Sequence, residues 1–374
     1  MIPVLSAEKI RMADAHTIAH EPIASINLME RASLACANRI MEFLAHDVPV
    51  TVLAGMGNNG GDGLAIARII HRDARPVRVL VPKYNAEGSP DFEVNLRRAQ
   101  KAGVHVELLE KGTELPEFPR GTVVIDALFG TGLKRTITGW LKSWVEALNA
   151  RPNTVFSIDM PSGLFAQDNT ENDPSAIVQA DRTFTLELPK FSLLLADNAR
   201  YAGDWEVLPI GLDRKFIATL EPEAMMLEAA DVAAFMPVRE RSSHKGDHGH
   251  AWLLAGAEGK MGAALMSAKA CLRSGCGNLT LHVPVGQDSV VHSTFPEAMV
   301  SCDEAKHLSA LPKFGIAAAI GVGPGIGTDN GTARMLKHLI QDAPAPLVID
   351  ADALNILGEN RTWLAFLPKG TILT

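Results

Sequence analysis

Long apolar runs are missing from this 374-residue chain, and no stretch approaches the ~20 consecutive apolar residues that a bilayer-spanning helix needs. The opening residues, Met1-Ile-Pro-Val-Leu-Ser-Ala-Glu-Lys-Ile-Arg11, hold neither a basic cluster nor an apolar core of the secretory type. Cysteine is scarce. Cys36, Cys271, Cys276 and Cys302 show no C-x-x-C spacing, which speaks against a zinc or dithiol motif. Three of the four lie in apolar or small-residue runs, which fits buried, reduced thiols and a cytoplasmic home. Positive charge is in deficit too. With 35 Lys and Arg against 43 Asp and Glu, the net charge is −8, unsuited to nucleic acid or an anionic membrane as partner. What remains, 47% hydrophobic and 21% charged, is a globular composition long enough for two or three domains.

The first part alternates short apolar runs with helical periodicity. Helices are expected over 7–20, 26–44, 62–72, 92–102 and 139–149. Strands are expected over 50–54, 77–81, 104–108, 122–127 and 154–159, with further short ones in 182–210. Runs such as Val123-Val-Ile125 and Val155-Phe-Ser-Ile158 are short and β-branched or aromatic, as strands buried on both faces require. The pattern is that of a doubly wound parallel α/β sheet. It breaks near 215–245, where a helix-like linker (223–235) and a polar stretch intervene. A second α/β series follows: strands at 251–255, 278–283, 316–322 and 347–350, helices at 263–274 and 330–341, and the start of a strand at Thr371-Ile-Leu-Thr374.

Ligands of open α/β sheets bind beyond the carboxyl ends of the strands. Three loops leave such ends in the first part: Gly55-Met-Gly-Asn-Asn-Gly-Gly-Asp62, Asp126-Ala-Leu-Phe-Gly-Thr-Gly132 and Asp159-Met-Pro-Ser-Gly163. Gly55–Gly60 satisfies G-x-G-x-x-G, but a dinucleotide fold also needs an acidic residue at the end of the second strand. That strand ends Val79-Leu-Val-Pro82, with no Asp or Glu before Glu87, so the dehydrogenase reading fails. Each loop instead brings a carboxylate, and Asn58, Asn59 and Ser162 add neutral oxygens. Any one Asp taken singly also fits a turn cap. Three together would repel unless neutralised, and a hard monovalent or divalent cation suits the set. Gly130-Thr-Gly-Leu-Lys-Arg-Thr136 offers N–H groups and two cations to a phosphate, or is a solvated turn.

Taken together, Asn58-Asn-Gly-Gly-Asp-Gly63, Asp126 with Phe129-Gly-Thr-Gly132, and Ser157-Ile-Asp-Met-Pro-Ser-Gly163 resemble the NAD(P)HX epimerase family, over roughly residues 5–215. Those enzymes act on the hydrates of NADH and NADPH. The resemblance implies a Rossmann-like sheet for residues 1–215, with substrate contacts at Asn58, Asn59, Gly60, Gly61, Asp62, Gly130, Thr131, Gly132, Leu133, Lys134, Arg135, Thr136 and Asp159. It implies K⁺ held by Asn59, Asp126 and Ser162. Asp159 would be the acid/base beside the reacting ring, with Lys190 in Leu188-Pro-Lys-Phe-Ser192 a second catalytic candidate, or else a surface lysine.

After a linker at 216–240, residues 241–374 resemble the ribokinase-like, ADP- or ATP-dependent NAD(P)HX dehydratases. The matching pieces are His244-Lys-Gly-Asp-His-Gly-His250, Gly259-Lys-Met-Gly-Ala-Ala264, Gly321-Val-Gly-Pro-Gly-Ile-Gly327 and Val348-Ile-Asp-Ala-Asp-Ala-Leu-Asn355. Ala263 and Gly325 would contact the hydrate, and ADP or ATP with Mg²⁺ would drive dehydration of the S-hydrate. The histidines are spaced wrongly for zinc and fit a solvated linker better. The family's later elements, a His-Pro-Gly turn, a nucleotide-gripping loop and a Gly-Asp helix start, do not occur before Thr374. The second part is therefore expected to be the N-terminal part of that domain, without the adenine-nucleotide elements. The expected partners are the small-molecule hydrate and copies of the chain in a homo-oligomer, not nucleic acid or membrane. Two other readings stand beside this one: a non-catalytic Rossmann-like scaffold, which would not need the Asp and Asn set, and a small-molecule kinase in the second part.

Overall fold

Runs of β-branched residues become strands here because both faces of the sheet are covered. The computed structural model describes residues 1–21, 23–236 and 238–374. They form two units, Met1–Met236 and Pro237–Thr374. The first opens with β1 (Ile2–Val4), α1 (Ala7–His20) and α2 (Ser25–Glu42). There follow β2 (Val50–Ala54), α3 (Asn58–Arg72), β3 (Val77–Pro82), α4 (Pro90–Lys101), β4 (His105–Leu109), β5 (Val123–Ala127), α5 (Trp140–Asn149) and β6 (Val155–Ile158). It closes with β7 (Arg182–Leu186), α6 (Ala199–Ala202), β8 (Asp204–Leu208), α7 (Arg214–Ile217), β9 (Ala224–Met226) and α8 (Ala229–Phe235).

Seven of these strands make one parallel sheet in the order β4-β3-β2-β5-β6-β7-β8. The doubly wound sheet expected from the sequence is present. Every residue of β2, β5 and β6 is buried. The order reverses between β2 and β5, which opens a crevice at their carboxyl ends. Two features differ from the sequence expectation. Helix α3 begins at Asn58 rather than near residue 62, so Asn58-Asn-Gly-Gly-Asp62 is its first turn and not a loop. Glycines are poor helix formers, but here close packing overrides propensity: a Cβ on Gly60 would overlap the Gly55 carbonyl. Short β1, unremarked in the sequence, pairs antiparallel with β9, so residues 224–226 pack as part of the first unit.

The second unit comprises β10 (His250–Leu254), α9 (Met261–Arg273), β11 (Asn278–Val283), α10 (Asp288–Thr294), β12 (Met299–Cys302), β13 (Ala319–Val322), α11 (Asn330–Asp342), β14 (Leu347–Ile349), α12 (Ala351–Glu359) and β15 (Ile372–Leu373). Its strands form a parallel sheet ordered β12-β11-β10-β13-β14-β15. Elements α10, β12 and α12 were not expected; each is short and lacks a long periodic signal. Among the cysteines, only Cys36 is buried. Cys271 and Cys276 are half-buried, and Cys302 is exposed on the edge strand β12, which corrects the expectation of buried thiols. No helix among the described residues is long and apolar enough to cross a membrane.

Candidate active site

At the carboxyl edge of the first sheet lies a cavity of about 680 Å³, within the usual range for small-molecule sites. Strand β2 delivers Asn58, Asn59 and Asp62 on the first turn of α3, and β5 delivers the Phe129–Arg135 loop. Strand β6 stops at Ile158, and Asp159 then turns into the left-handed region at φ +65° while its N–H donates to Phe184 O at 2.8 Å. Such a conformation costs a non-glycine residue on the order of 1–3 kcal/mol and persists only where its surroundings hold it.

They do hold it. Lys190, which follows β7, is 1% exposed. Its Nζ lies 2.7 Å from Asp159 Oδ1 and donates to Leu186 O at 2.9 Å. The Thr131 N–H donates to Asp159 Oδ2 at 3.0 Å. Burial alone would raise the Asp159 carboxyl, but Lys190 and Thr131 outweigh it and hold its pKa below the ordinary value. The group is therefore held as a buried, paired carboxylate. Lys190 is thus a buried counter-ion and not a surface lysine.

Gly130 is required by close approach. A Cβ there would lie 2.9 Å from Asp159 Oδ2 and 3.2 Å from Asn59 Cγ. The turn thereby gathers Asn59, Asp159 and the Phe129 backbone. Beneath it sits Asp126, fully buried. Its oxygens accept from Ser162 Oγ at 2.5 Å, Ser157 Oγ at 2.8 Å, Ser162 N at 2.8 Å and Leu128 N at 3.3 Å. Among the described residues no basic side chain reaches ion-pair distance of Asp126, and burial raises its pKa. The Nδ2 of Asn59 is buried without a partner. One carboxylate with neutral amide, hydroxyl and carbonyl oxygens fits a single positive charge.

The structure gathers most of the sequence candidates and sets some apart. Gly130, Thr131, Gly132, Leu133, Lys134 and Arg135 line the cavity, as do Asn58, Asn59, Asp62, Asp159 and Lys190. Gly60 and Gly61 do not; they are buried against Gly55 and against Met29 and Phe92. Thr136 points elsewhere, its hydroxyl donating to Asn172 Oδ1 at 3.0 Å. The three strand-end carboxylates were expected to need one shared cation, but Lys190 already neutralises Asp159, while neither Asp126 nor Asp62 has an ion-pair partner among the described residues. Sequence reasoning missed Arg11, Asp14 and Glu187, which also line the cavity. Glu187 follows β7 directly, so the rule about strand ends could have found it; α1 carries no such signal.

In the second unit, Ala263 on α9 and Gly325 after β13 are brought together. Gly325 has φ +68°, and a Cβ on it would lie 3.0 Å from Ala263 Cβ. Asp352 on α12 accepts from Gly327 N at 2.8 Å and lies 3.3 Å from Lys260 Nζ, closing the same corner. The three histidines serve separate contacts: His244 pairs with Asp247, His248 with Ser243 and His250 with Thr280.

A buried carboxylate–ammonium pair at the switch point of a parallel sheet, beside a glycine turn with two cations, is the arrangement of an α/β fold with a small-molecule cavity. The sequence profile described as YjeF-related protein N-terminus matches residues 25–192, and the one described as NAD(P)H-hydrate dehydratase matches 251–374. The bifunctional NAD(P)H-hydrate repair enzyme of Salinibacter ruber is 35% identical over 95% of this chain and 70% of its own length. That of Thermofilum pendens is 30% identical over 99% and 72%, and that of Synechocystis 32% over 94% and 67%. The chain thus spans about two thirds to three quarters of these relatives. A crystal structure of yeast ynu0 is 22% identical, covering 61% of this chain and 97% of that one, with a TM-score of 0.49. The chain belongs to the family of bifunctional NAD(P)H-hydrate repair enzymes.

Proposed function

We propose that the first part of the chain, residues 1–215 with the elements that close it, epimerises the R and S forms of NAD(P)HX at the 680 Å³ cavity. The carrying observation is the buried Asp159–Lys190 pair facing the Gly130–Arg135 turn. The ionised Asp159 lies where a ring carrying the C6 hydroxyl would react, and it stabilises positive charge developing there. Lys190 fixes that carboxylate in place. Asn58, Asn59 and Asp62 flank the ring, while Lys134 and Arg135 stand ready for the phosphates. K⁺ would be held by Asn59, Asp126 and Ser162; it would supply fixed positive charge beneath the Phe129–Gly130 turn. The fit rests on Asp126 being a buried carboxylate with no basic partner.

For residues 241–374 the reading is the hydrate-binding part of a dehydratase domain, with Ala263 and Gly325 at the hydrate; ADP or ATP with Mg²⁺ would be the coupling reagents in a full-length chain. The test of the first reading is direct. Incubated with a single purified hydrate epimer, the protein should bring the R to S ratio to equilibrium faster than buffer alone, as followed by chromatography. A ratio drifting at the buffer rate overturns the reading.

A further inference from the structure

Four carboxylates line one cavity, and three of them are engaged. Asp159 is held by Lys190 and Thr131. Glu187 Oε2 accepts from the N–H groups of Ile210, Gly211 and Leu212 at 2.7, 2.8 and 3.3 Å. Asp62 accepts from Ser33 Oγ at 3.2 Å. The fourth, Asp14, accepts no hydrogen bond and makes no ion pair among the described residues. Helix α1 buries Ile10, Ala13 and Thr17, and Asp14 stands at the border of that face, on the cavity wall. An acid that must exchange a proton on every turnover cannot be locked in an ion pair. Asp159 is so locked.

We propose that Asp14 is a further catalytic residue, the carrier of the proton exchanged with the C6 hydroxyl. This rests on the epimerase reading. In its acid form Asp14 gives its proton to the hydroxyl leaving C6. The C6–O electron pair departs with the water formed, and the lone pair on N1 makes the C6=N1 iminium bond. Water adding to the opposite face returns that pair to N1 and releases a proton to solvent, from which Asp14 reprotonates. The cationic iminium forms beside the carboxylates of Asp159 and Glu187, opposed by Lys190 and by Arg11 on Asp14's own helix. Burial first, and then the Asp159 charge, lift the Asp14 carboxyl to about 6, with Lys190 partly offsetting them, so a useful fraction carries a proton near neutrality.

The test measures kcat and KM for epimerisation from pH 5 to 9 in wild type, Asp14→Asn and Asp14→Glu. Asp14→Asn should lose ~10²–10⁴-fold in kcat, the usual contribution of a general acid, with little change in KM. The wild-type fall in rate as pH rises through about 6 should vanish in Asp14→Asn and survive, displaced, in Asp14→Glu. An Asn variant within about twofold of wild type, with the same pH profile, overturns the proposal. Should the Asn variant fold poorly, Asp14→Glu decides: an active enzyme whose profile does not move overturns it equally. A wild-type protein that leaves the epimer ratio at the buffer rate removes the reading beneath, and is recognised before any variant is made.

Discussion

Asp159 and Lys190 depend on each other. Asp159→Asn keeps the left-handed backbone, which Asn tolerates well, and keeps an acceptor for Thr131. It loses the negative charge facing the ring. The expected result is a retained fold, checked by circular dichroism, with epimerase turnover lower by ~10²–10³-fold, the usual cost of losing one electrostatic stabiliser. Lys190→Met should behave differently. It removes the positive member of a buried pair and leaves Asp159 uncompensated, a change that commonly costs about 3–5 kcal/mol. Urea unfolding should show that loss; a midpoint equal to wild type would mean that Asp159 finds another partner. Asp14 bears on stability in the opposite sense. Its folded pKa is about 6 against 3.8 for the free group, so between those values the folded state binds the proton that the unfolded chain has released. The stability it contributes is present below about 4 and is lost as pH rises through about 6. Asp14→Asn should therefore unfold at higher urea than wild type at pH 8, with the two converging near pH 4.

Helix α3 shows how an element serves the site. Its first turn is half glycine and by propensity a loop, which is why its start was illegible in the sequence although its motif was plain. The motif is local chemistry, whereas the helical state comes from packing of Gly60 against the Gly55 backbone and of Gly63 against side chains of β2 and β5. The Gly130 turn is the counterpart on the next strand. Gly130→Ala would push a methyl group against Asp159 and Asn59, so catalysis should fall sharply while melting shifts little; unchanged kcat/KM would show that the turn can yield. The proposed cation subsite joins α3, the end of β5 and the loop after β6. Thermal unfolding should rise in KCl relative to LiCl at equal ionic strength, and Asp126→Asn should abolish the difference. Equal melting in both salts for wild type would count against the subsite.

Across the whole molecule, what the sequence disclosed was what lies close along the chain: the parallel sheet of the first part, most of the alternation of strands and helices in both parts, and the glycine and carboxylate loops at strand ends. Asp14 and Arg11 stayed hidden because no local pattern ties α1 to the sheet edge. Contacts from distant positions place that helix. Thr17 Oγ1 accepts from Asp213 N, 196 residues away, at 3.0 Å, and Lys9 Nζ donates to Glu221 O at 2.6 Å. Ile10 and Ala13 pack with Ile210, Leu212 and Ile217.

The pairing of β1 with β9 carries a temporal implication. On a ribosome adding ~5–20 residues per second, Ile2–Val4 emerge roughly 10–40 s before Ala224–Met226. Through that interval the nascent chain can assemble its central strands, but α1 has only Leu28 and Ala32, and later Leu188, of its apolar cluster to pack against until Ile210, Leu212 and Ile217 emerge, and the rest of its apolar face is left open to holdase chaperones or to other nascent chains. Substrate protection during synthesis should therefore come only after residue 226 has cleared the exit tunnel.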